Sequence, residues 1–317
     1  MLTYLRMARV RNWWSNSRAV VPIWVISAIL FYSLLQLALR NSSSDKPISN
    51  QEQRSRLYDK MSRDLDEHGA AFLKHGETSQ SLSLSDLFTI KDGSVTPNLK
   101  AAIPPVRANV LYLSPQYSIP ISKAVRSIFL PHFDKMIWFQ NSTMYHFSMF
   151  HASHHITPVP ATEEEIEAEA NAVKAVAEGL CPLKFYSPQL NKSYPNSMAS
   201  ASWIHFLQVV SGMDPITIRA KLRPVLPRAP EKQLYDAAIL HTSFARLLGQ
   251  PNASLEEADK TSELQFFHDL VTQLNNQIHG FQATVTELWY VEELDVLALA
   301  LDGRMKVHKF QLGCSKT

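Results

Sequence analysis

The feature that most constrains this chain is a run over residues 19–39 in which no charged side chain occurs. At about 1.5 Å per helical residue, such a run is long enough to cross about 30 Å of hydrocarbon. No small-residue cleavage signature follows it, which favours an uncleaved anchor over a signal peptide. A buried core helix is the alternative interpretation, but core helices rarely run this long without a charge.

The charges beside this run predict its orientation. Four arginines and no acidic residue precede it, whereas charges of both signs follow it. Because positively charged flanks stay in the cytosol, we expect the rest of the chain to face a lumen. Four glycosylation sequons agree with this orientation. We expect Asn41 to lie too close to the bilayer for the transferase, and the three usable ones begin at Asn141, Asn191 and Asn252. The sequence therefore predicts a single-pass type II membrane glycoprotein of the secretory pathway, and the length of the anchor favours the Golgi.

Composition divides the chain into four segments. A loop-like stretch ends at Pro104-Pro105, and the main domain is expected to begin directly after it. An amphipathic helix in the stem could form a coiled coil or rest on the main domain. The segments are a cytosolic tail (1–18), a transmembrane anchor (19–39), a stem or linker (40–105) and a lumenal domain (106–317).

The main domain alternates between hydrophobic periods of two and 3.6, which predicts an α+β fold preceded by one transmembrane helix. Strands are expected over residues 143–150 and 237–247. Thr162 and Glu165 form a capping box that begins an amphipathic helix, and a second box follows the later strand. The two halves of the domain therefore look like repeats of one unit.

Charge and cysteine content exclude several classes of protein. A formal net charge of +2 gives no sign of nucleic-acid binding. The two cysteines, Cys181 and Cys314, lack the spacing of a structural zinc site. They could form one disulfide or remain as buried free thiols, and the sequence leaves both alternatives open.

Two predicted strands contain the pattern His-x-Ser, as His146-Phe147-Ser148 and His241-Thr242-Ser243. Side chains at positions i and i+2 of a strand share one face, so each strand presents an imidazole beside a hydroxyl. An imidazole can give or take a proton near neutral pH, and a hydroxyl can donate to a phosphate oxygen. Two such pairs across a cleft would make an acid/base site that needs no metal.

This combination resembles the 2H phosphoesterase superfamily, over residues 106–317. The resemblance implies a bilobal, pseudo-twofold fold of antiparallel sheets with flanking helices, and hydrolysis of cyclic phosphate or phosphodiester substrates without a cofactor. It implies that His146 and His241 share the roles of general base and general acid, while Ser148 and Ser243 hold the phosphate. The sequence departs from the family at Thr242, where a hydrophobic residue is usual, and in a long polar loop over residues 186–202.

Two other functions remain open. A Golgi glycosyltransferase would share the layout of tail, anchor, stem and lumenal domain. Its metal commonly needs paired carboxylates, yet the only Asp-x-Asp, Asp64-Leu65-Asp66, falls in the stem helix, where a solvated helix face is the simpler interpretation. The other alternative is a noncatalytic lumenal binding protein. For it, four histidines (His146, His151, His154 and His155) could form a metal patch, but they lack a coordinating spacing, and we predict no metal site.

Overall fold

The structure is a computed structural model that describes residues 48–60, 82–186, 208–249 and 260–314. Residues 50–317 make up one compact unit, and residues 1–49 make up another. The helices are α1 (50–60), α2 (Leu84–Leu87), α3 (Pro115–Phe133), α4 (Glu163–Glu178), α5 (Pro215–Val225), α6 (Lys260–Gln277) and α7 (Ala298–Leu301). The strands are β1 (Phe88–Lys91), β2 (Ser94–Pro97), β3 (Ala101–Tyr112), β4 (Ile137–Phe139), β5 (His146–Ser153), β6 (Leu183–Tyr186), β7 (Gln208–Ser211), β8 (Ala245–Leu247), β9 (Gln282–Val285), β10 (Glu287–Asp295) and β11 (Met305–Gln311).

Four antiparallel strands form the largest sheet, in the order β11-β10-β3-β5. A second antiparallel sheet has the order β7-β6-β9, and β4 pairs with β8 in a small third one. Residues 106–111 of β3 are all buried, as expected of a strand with neighbours on both edges and cover on both faces. The prediction of a mixed α+β fold with antiparallel sheets is confirmed.

One core joins the two larger sheets. Phe147 on β5 and Phe185 on β6 are fully buried, and their rings meet edge to face at 5.3 Å. Helix α4 covers this core, and it begins where the sequence predicts. The Thr162 side chain accepts from the backbone of Glu165, whose carboxylate accepts in return from the backbone of Thr162. The core therefore fixes β5, which carries the first His-x-Ser motif.

The prediction of a fold preceded by a transmembrane helix is wrong. Across the described ranges, no helix is both long enough and apolar enough to span a membrane. The longest is α3, with 19 residues, and it exposes Lys123 and Arg126 while it buries its opposite face. Residues 19–39, on which the prediction depended, lie outside the described residues. The predicted localisation, a type II protein of the Golgi membrane, is corrected with it.

The expected strand over residues 237–247 is much shorter in the structure. Only Ala245–Leu247 forms a strand, β8, which pairs with β4 in the two-stranded sheet. In the earlier part of the expected strand, the carbonyl oxygens of residues 237–240 accept hydrogen bonds from side chains instead of from a neighbouring strand. The two motifs therefore do not occupy equivalent strands of a pseudo-twofold pair of sheets.

Cys181 and Cys314 form a disulfide, which is one of the two alternatives that the sequence left open. The bond joins positions 133 residues apart, and it fastens the carboxyl-terminal end of the described chain to the segment between α4 and β6. Backbone bonds support the same junction, because Cys314 donates to the carbonyl of Leu180 and Gly313 to that of Ala177.

Candidate active site

Side chains from both His-x-Ser motifs line one small, partly open cavity of about 50 Å³. By volume it can hold a few water molecules. His146 and Ser148 line it from the first motif, and His241, Thr242 and Ser243 line it from the second. The other polar residues of its wall are Gln140, His151, Tyr235, Arg246 and Glu293.

Strand β5 presents the first motif to the cavity. Its pairing with β3 sets His146 opposite Tyr112 and Ser148 opposite Val110. Phe147 is buried in the core on the other face of the strand, so residues 146 and 148 share the cavity face. The Nδ1 atom of His146 lies 2.7 Å from the carbonyl oxygen of Met144. Because a carbonyl only accepts, Nδ1 carries the proton and Nε2 is the nitrogen free to accept one.

The second motif reaches the cavity from an irregular segment that leads into β8. Leu240 and Phe244 are buried in the core on either side of the motif. They anchor the segment, while the side chains of His241 and Ser243 line the cavity. Because Thr242 also lines the cavity, strand alternation does not explain this arrangement, and three consecutive residues of the irregular segment contribute to the wall.

Arg219 of α5 ties the two motif segments to each other. Its Nη2 donates to the carbonyl of Ser148 at 2.9 Å and to that of Ile239 at 2.8 Å. Its Nε donates to Met149, and its Nη1 donates to Ala237. Burial lowers the pKa of Arg219 to about 10, so it stays charged at neutral pH. One guanidinium thus fixes the separation of the two motifs.

Both imidazoles of the motifs are neutral near pH 7. Burial lowers the pKa of His146, and the nearby Arg246 charge lowers it further, against the opposing effect of the Met144 carbonyl. Burial also lowers the pKa of His241 to about 3, with further contributions from Arg219, His146 and Arg246. Two neutral rings can accept protons. A general acid would appear only when an anion enters the cavity and stabilises an imidazolium.

Three buried polar atoms of the cavity residues have no hydrogen-bond partner within the described part of the chain. They are Nδ1 of His241, Oγ1 of Thr242 and Oε1 of Gln140. Leaving such an atom unpaired costs about 1–3 kcal/mol, so native proteins rarely group several in one place. The described residues that line the cavity therefore carry an unusual number of buried, unpaired polar atoms.

Sequence reasoning missed Arg246, which is 8% exposed and lines the cavity three residues after Ser243. Its guanidinium makes no hydrogen bond or ion pair with the residues that the structure describes. Burial lowers its pKa, and the opposing contribution comes from the Tyr235 phenol rather than from a carboxylate. A buried guanidinium without a counter-ion is suited to binding a phosphate. Its position within the apolar stretch FARLL was the available sequence signal.

Glu293 and Tyr235 were also missed. Glu293 on β10 is 5% exposed, and its Oε1 accepts from the backbone of Leu299 at 2.8 Å. Burial raises the pKa of Glu293 to about 7, so its carboxyl group is partly protonated at neutral pH. The Tyr235 ring lies 4.5 Å from the His241 ring and forms one wall beside it. Neither belongs to a recognisable local pattern.

Of the three predicted glycosylation sites, the structure describes only Asn141, which does not line the cavity. Asn141 accepts from the backbone of Thr143 and donates to the carboxylate of Asp302. Asn191, Asn252 and Asp64-Leu65-Asp66 lie outside the described residues. Among the described residues, which include the four histidines considered above, no three or more His, Cys, Asp or Glu side chains group suitably for a metal ion.

No protein-family model matches the sequence, and no curated protein matches it either. Several solved structures are similar to the chain, including the following two. TT0787 of Thermus thermophilus has a TM-score of 0.41 and 12% identity over 67% of this chain and 100% of that one. E. coli LigT, complexed with NADP+, has a TM-score of 0.35 and 11% identity over 68% of this chain and 99% of that one. With TM-scores below 0.5, these similarities carry no argument about the fold or the function of this chain.

Proposed function

We propose that the protein is a metal-independent phosphodiesterase that acts on cyclic phosphate or other phosphodiester substrates. One observation carries the proposal: the imidazole and hydroxyl groups of both His-x-Ser motifs line a single cavity together with the unpaired guanidinium of Arg246. The two rings offer proton transfer. The hydroxyls and the guanidinium offer donors to the oxygens of a phosphate.

In the proposed reaction, one imidazole takes a proton from a water molecule while the water oxygen forms a bond to phosphorus. The bond between phosphorus and the leaving oxygen breaks, and the other ring, as imidazolium, gives that oxygen its proton. A cyclic diester thereby opens to a monoester. Ser148, Ser243 and Arg246 stabilise the charge that develops on the phosphate oxygens.

The imidazolium forms only when substrate binds, because the free site lowers the pKa of both histidines. A phosphodiester anion in the cavity adds a negative charge beside the rings and raises the pKa of whichever ring it contacts. The ring that is left neutral acts as the base. His146 is suited to either part, since its Nε2 is the free nitrogen while its Nδ1 bonds to Met144.

The direct test is turnover of 2′,3′-cyclic nucleotides by the full-length protein in the presence of a chelator. We expect the wild type to produce a nucleoside monophosphate, and we expect His146→Ala and His241→Ala to reduce kcat by about 10³-fold or more. His279→Ala is the matched control, because His279 is exposed and does not line the cavity.

Circular dichroism should show that each variant is folded before turnover is compared. The proposal is wrong if the wild type gives no product, or if both cavity variants keep the rate of the His279→Ala control.

A further inference from the structure

The segment before His241 is held by side chains instead of by a neighbouring strand. Each of its last four carbonyl oxygens accepts a side-chain hydrogen bond: Ala237 and Ile239 from Arg219, Ala238 from Arg54, and Leu240 from Tyr58. Buried backbone groups must find partners, and these donors take the place of a β ladder. The conformation of residues 237–240 therefore depends on three distant side chains.

Two of the three donors lie on α1, far earlier in the chain. Tyr58 is 8% exposed; its hydroxyl donates to the carbonyl oxygen of Leu240 at 3.0 Å and accepts from the nitrogen of the same residue at 3.1 Å. Arg54 is 4% exposed; it donates to the carbonyl of Ala238 at 3.1 Å and to the Asp214 carboxylate at 2.6 Å. The backbone N–H and C=O of Leu240, the residue before His241, therefore both form hydrogen bonds with the Tyr58 hydroxyl.

The two catalytic candidates differ in what orients them. The His146 ring bonds directly to the Met144 carbonyl. The His241 ring has an unpartnered Nδ1 within the described part of the chain, and Tyr235 packs against it. Because the His241 ring makes no hydrogen bond to a described residue, its backbone and its packing set its direction. Tyr58 fixes that backbone one residue away.

We infer that Tyr58, supported by Arg54, is a positioning residue for His241, and that α1 is therefore part of the active site although 182 residues separate Tyr58 from Leu240. The inference rests on the proposed function for its kinetic consequence. Its structural content, that the phenol holds the His241 ring in place, does not depend on turnover.

The kinetic test is Tyr58→Phe in the full-length protein, with 2′,3′-cyclic nucleotide as substrate. Loss of the hydroxyl frees both backbone groups of Leu240, and a displaced ring is expected to lower kcat by about 10- to 100-fold while KM changes less than about twofold. Tyr290→Phe is the matched control: Tyr290 is a fully buried tyrosine whose hydroxyl donates to Glu169, and it does not line the cavity. The control should keep the wild-type kcat.

A second readout does not need turnover. In imidazole NMR titrations, Tyr58→Phe is expected to raise the pKa of His241 from its depressed value towards 6.5, because a looser ring gains water. The His146 titration should stay unchanged. If the wild type turns over no substrate, the proposed function fails while this titration still tests positioning. The inference is overturned if Tyr58→Phe matches Tyr290→Phe in the His241 titration.

Arg54→Lys provides a second variant in case Tyr58→Phe is poorly folded. Lysine keeps the charge beside Asp214, but it lacks the forked donors that reach both Asp214 and the Ala238 carbonyl. We expect the same direction of change in kcat and in the His241 titration, with a smaller amplitude. Arg56→Lys on the exposed face of the same helix is its control, and equal behaviour of these two variants would contradict the inference.

Discussion

The buried charge of Arg246 costs stability, and the same charge can bind an anion. Its guanidinium is removed from water, which costs free energy, and no carboxylate among the described residues compensates it. A protein selected for stability alone would place an apolar side chain there. We infer that the charge is retained to bind an anion, because Arg246 lines the same cavity as His146 and His241.

Arg246→Met should therefore change stability and activity in opposite directions. We expect the free energy of unfolding to rise by about 1–3 kcal/mol, because an unpaired buried charge is replaced by an apolar side chain of similar length. Turnover of cyclic nucleotides should fall by about 10²-fold or more in kcat/KM. Denaturant unfolding and steady-state kinetics measure the two effects. Arg126→Met, on the exposed face of α3, should change neither by much, and a loss of stability in Arg246→Met would contradict the role given to this charge.

The low pKa values of the two imidazoles predict an acidic rate profile. Catalysis needs one neutral and one protonated ring, and both His146 and His241 have pKa values below 6.5 in the free protein. Above those values, the fraction of protein with one protonated ring falls about tenfold per pH unit. We expect log kcat/KM to decline as the pH rises above about 6.5, with a slope that approaches about −1 between about pH 7 and pH 8. A profile that is flat or rises over this range would show that no imidazolium is needed.

At the level of elements, α5 connects the two halves of the site. Asp214 caps its first turn, and Arg219 on its buried face binds carbonyls that belong to β5 and to the segment before His241. Pro215 at the first helical position fixes where the helix begins. Because these contacts converge on one guanidinium, the helix both supports the fold and sets the separation of the motifs.

Arg219→Met tests this role. The substitution removes four hydrogen bonds to buried carbonyls, and we expect it to lower the free energy of unfolding by at least about 3 kcal/mol. Arg223→Met, one turn later on the same helix, also loses bonds to carbonyls, but at a half-buried site, and should cost about 1 kcal/mol. Chemical unfolding of both variants provides the comparison. Equal decreases in the free energy of unfolding of the two variants would show that Arg219 does not stabilise the fold more than Arg223 does.

Some elements were predictable because their signals are local. The capping box at Thr162 and the apolar positions that follow it define α4 within one stretch of sequence, and the structure has the helix there. The prediction of a strand over residues 237–247 was wrong because the partners of this segment are not local. Its apolar pattern resembled a strand, but the partners of its carbonyls are Arg54, Tyr58 and Arg219, which lie far away in the sequence.

Some residues of the candidate site were predictable from a local pattern, and others were not. The i, i+2 spacing predicted a shared face for each imidazole and hydroxyl pair. His146 and Ser148 share a face of β5, whereas Thr242 lines the cavity together with His241 and Ser243. Their catalytic roles stay predictions. Arg246 and Glu293 were not foreseen, because a buried charge within an apolar stretch has meaning only when the other walls of the cavity are known.

For the whole molecule, the disulfide between Cys181 and Cys314 closes a long stretch of chain. The double substitution of Cys181→Ser and Cys314→Ser should lower the free energy of unfolding by about 2–5 kcal/mol. Since neither cysteine lines the cavity, kcat/KM at 25 °C should stay within about twofold of wild type. Thermal unfolding with and without reductant provides the check: reductant should lower the Tm of the wild type and leave that of the double variant unchanged. An equal response of both would mean that the bond contributes nothing.

The claim that unites these observations is that both motifs close around one phosphate group. Sulfate has the shape and approximate size of phosphate but does not titrate near pH 7, so any proton taken up on binding goes to the protein. Calorimetric titration with sulfate in two buffers of different ionisation heat measures this uptake. We predict uptake of about one proton per sulfate at pH 7 and loss of binding in His146→Ala and His241→Ala. Sulfate binding without proton uptake, or binding that both variants retain, would contradict a shared phosphate site.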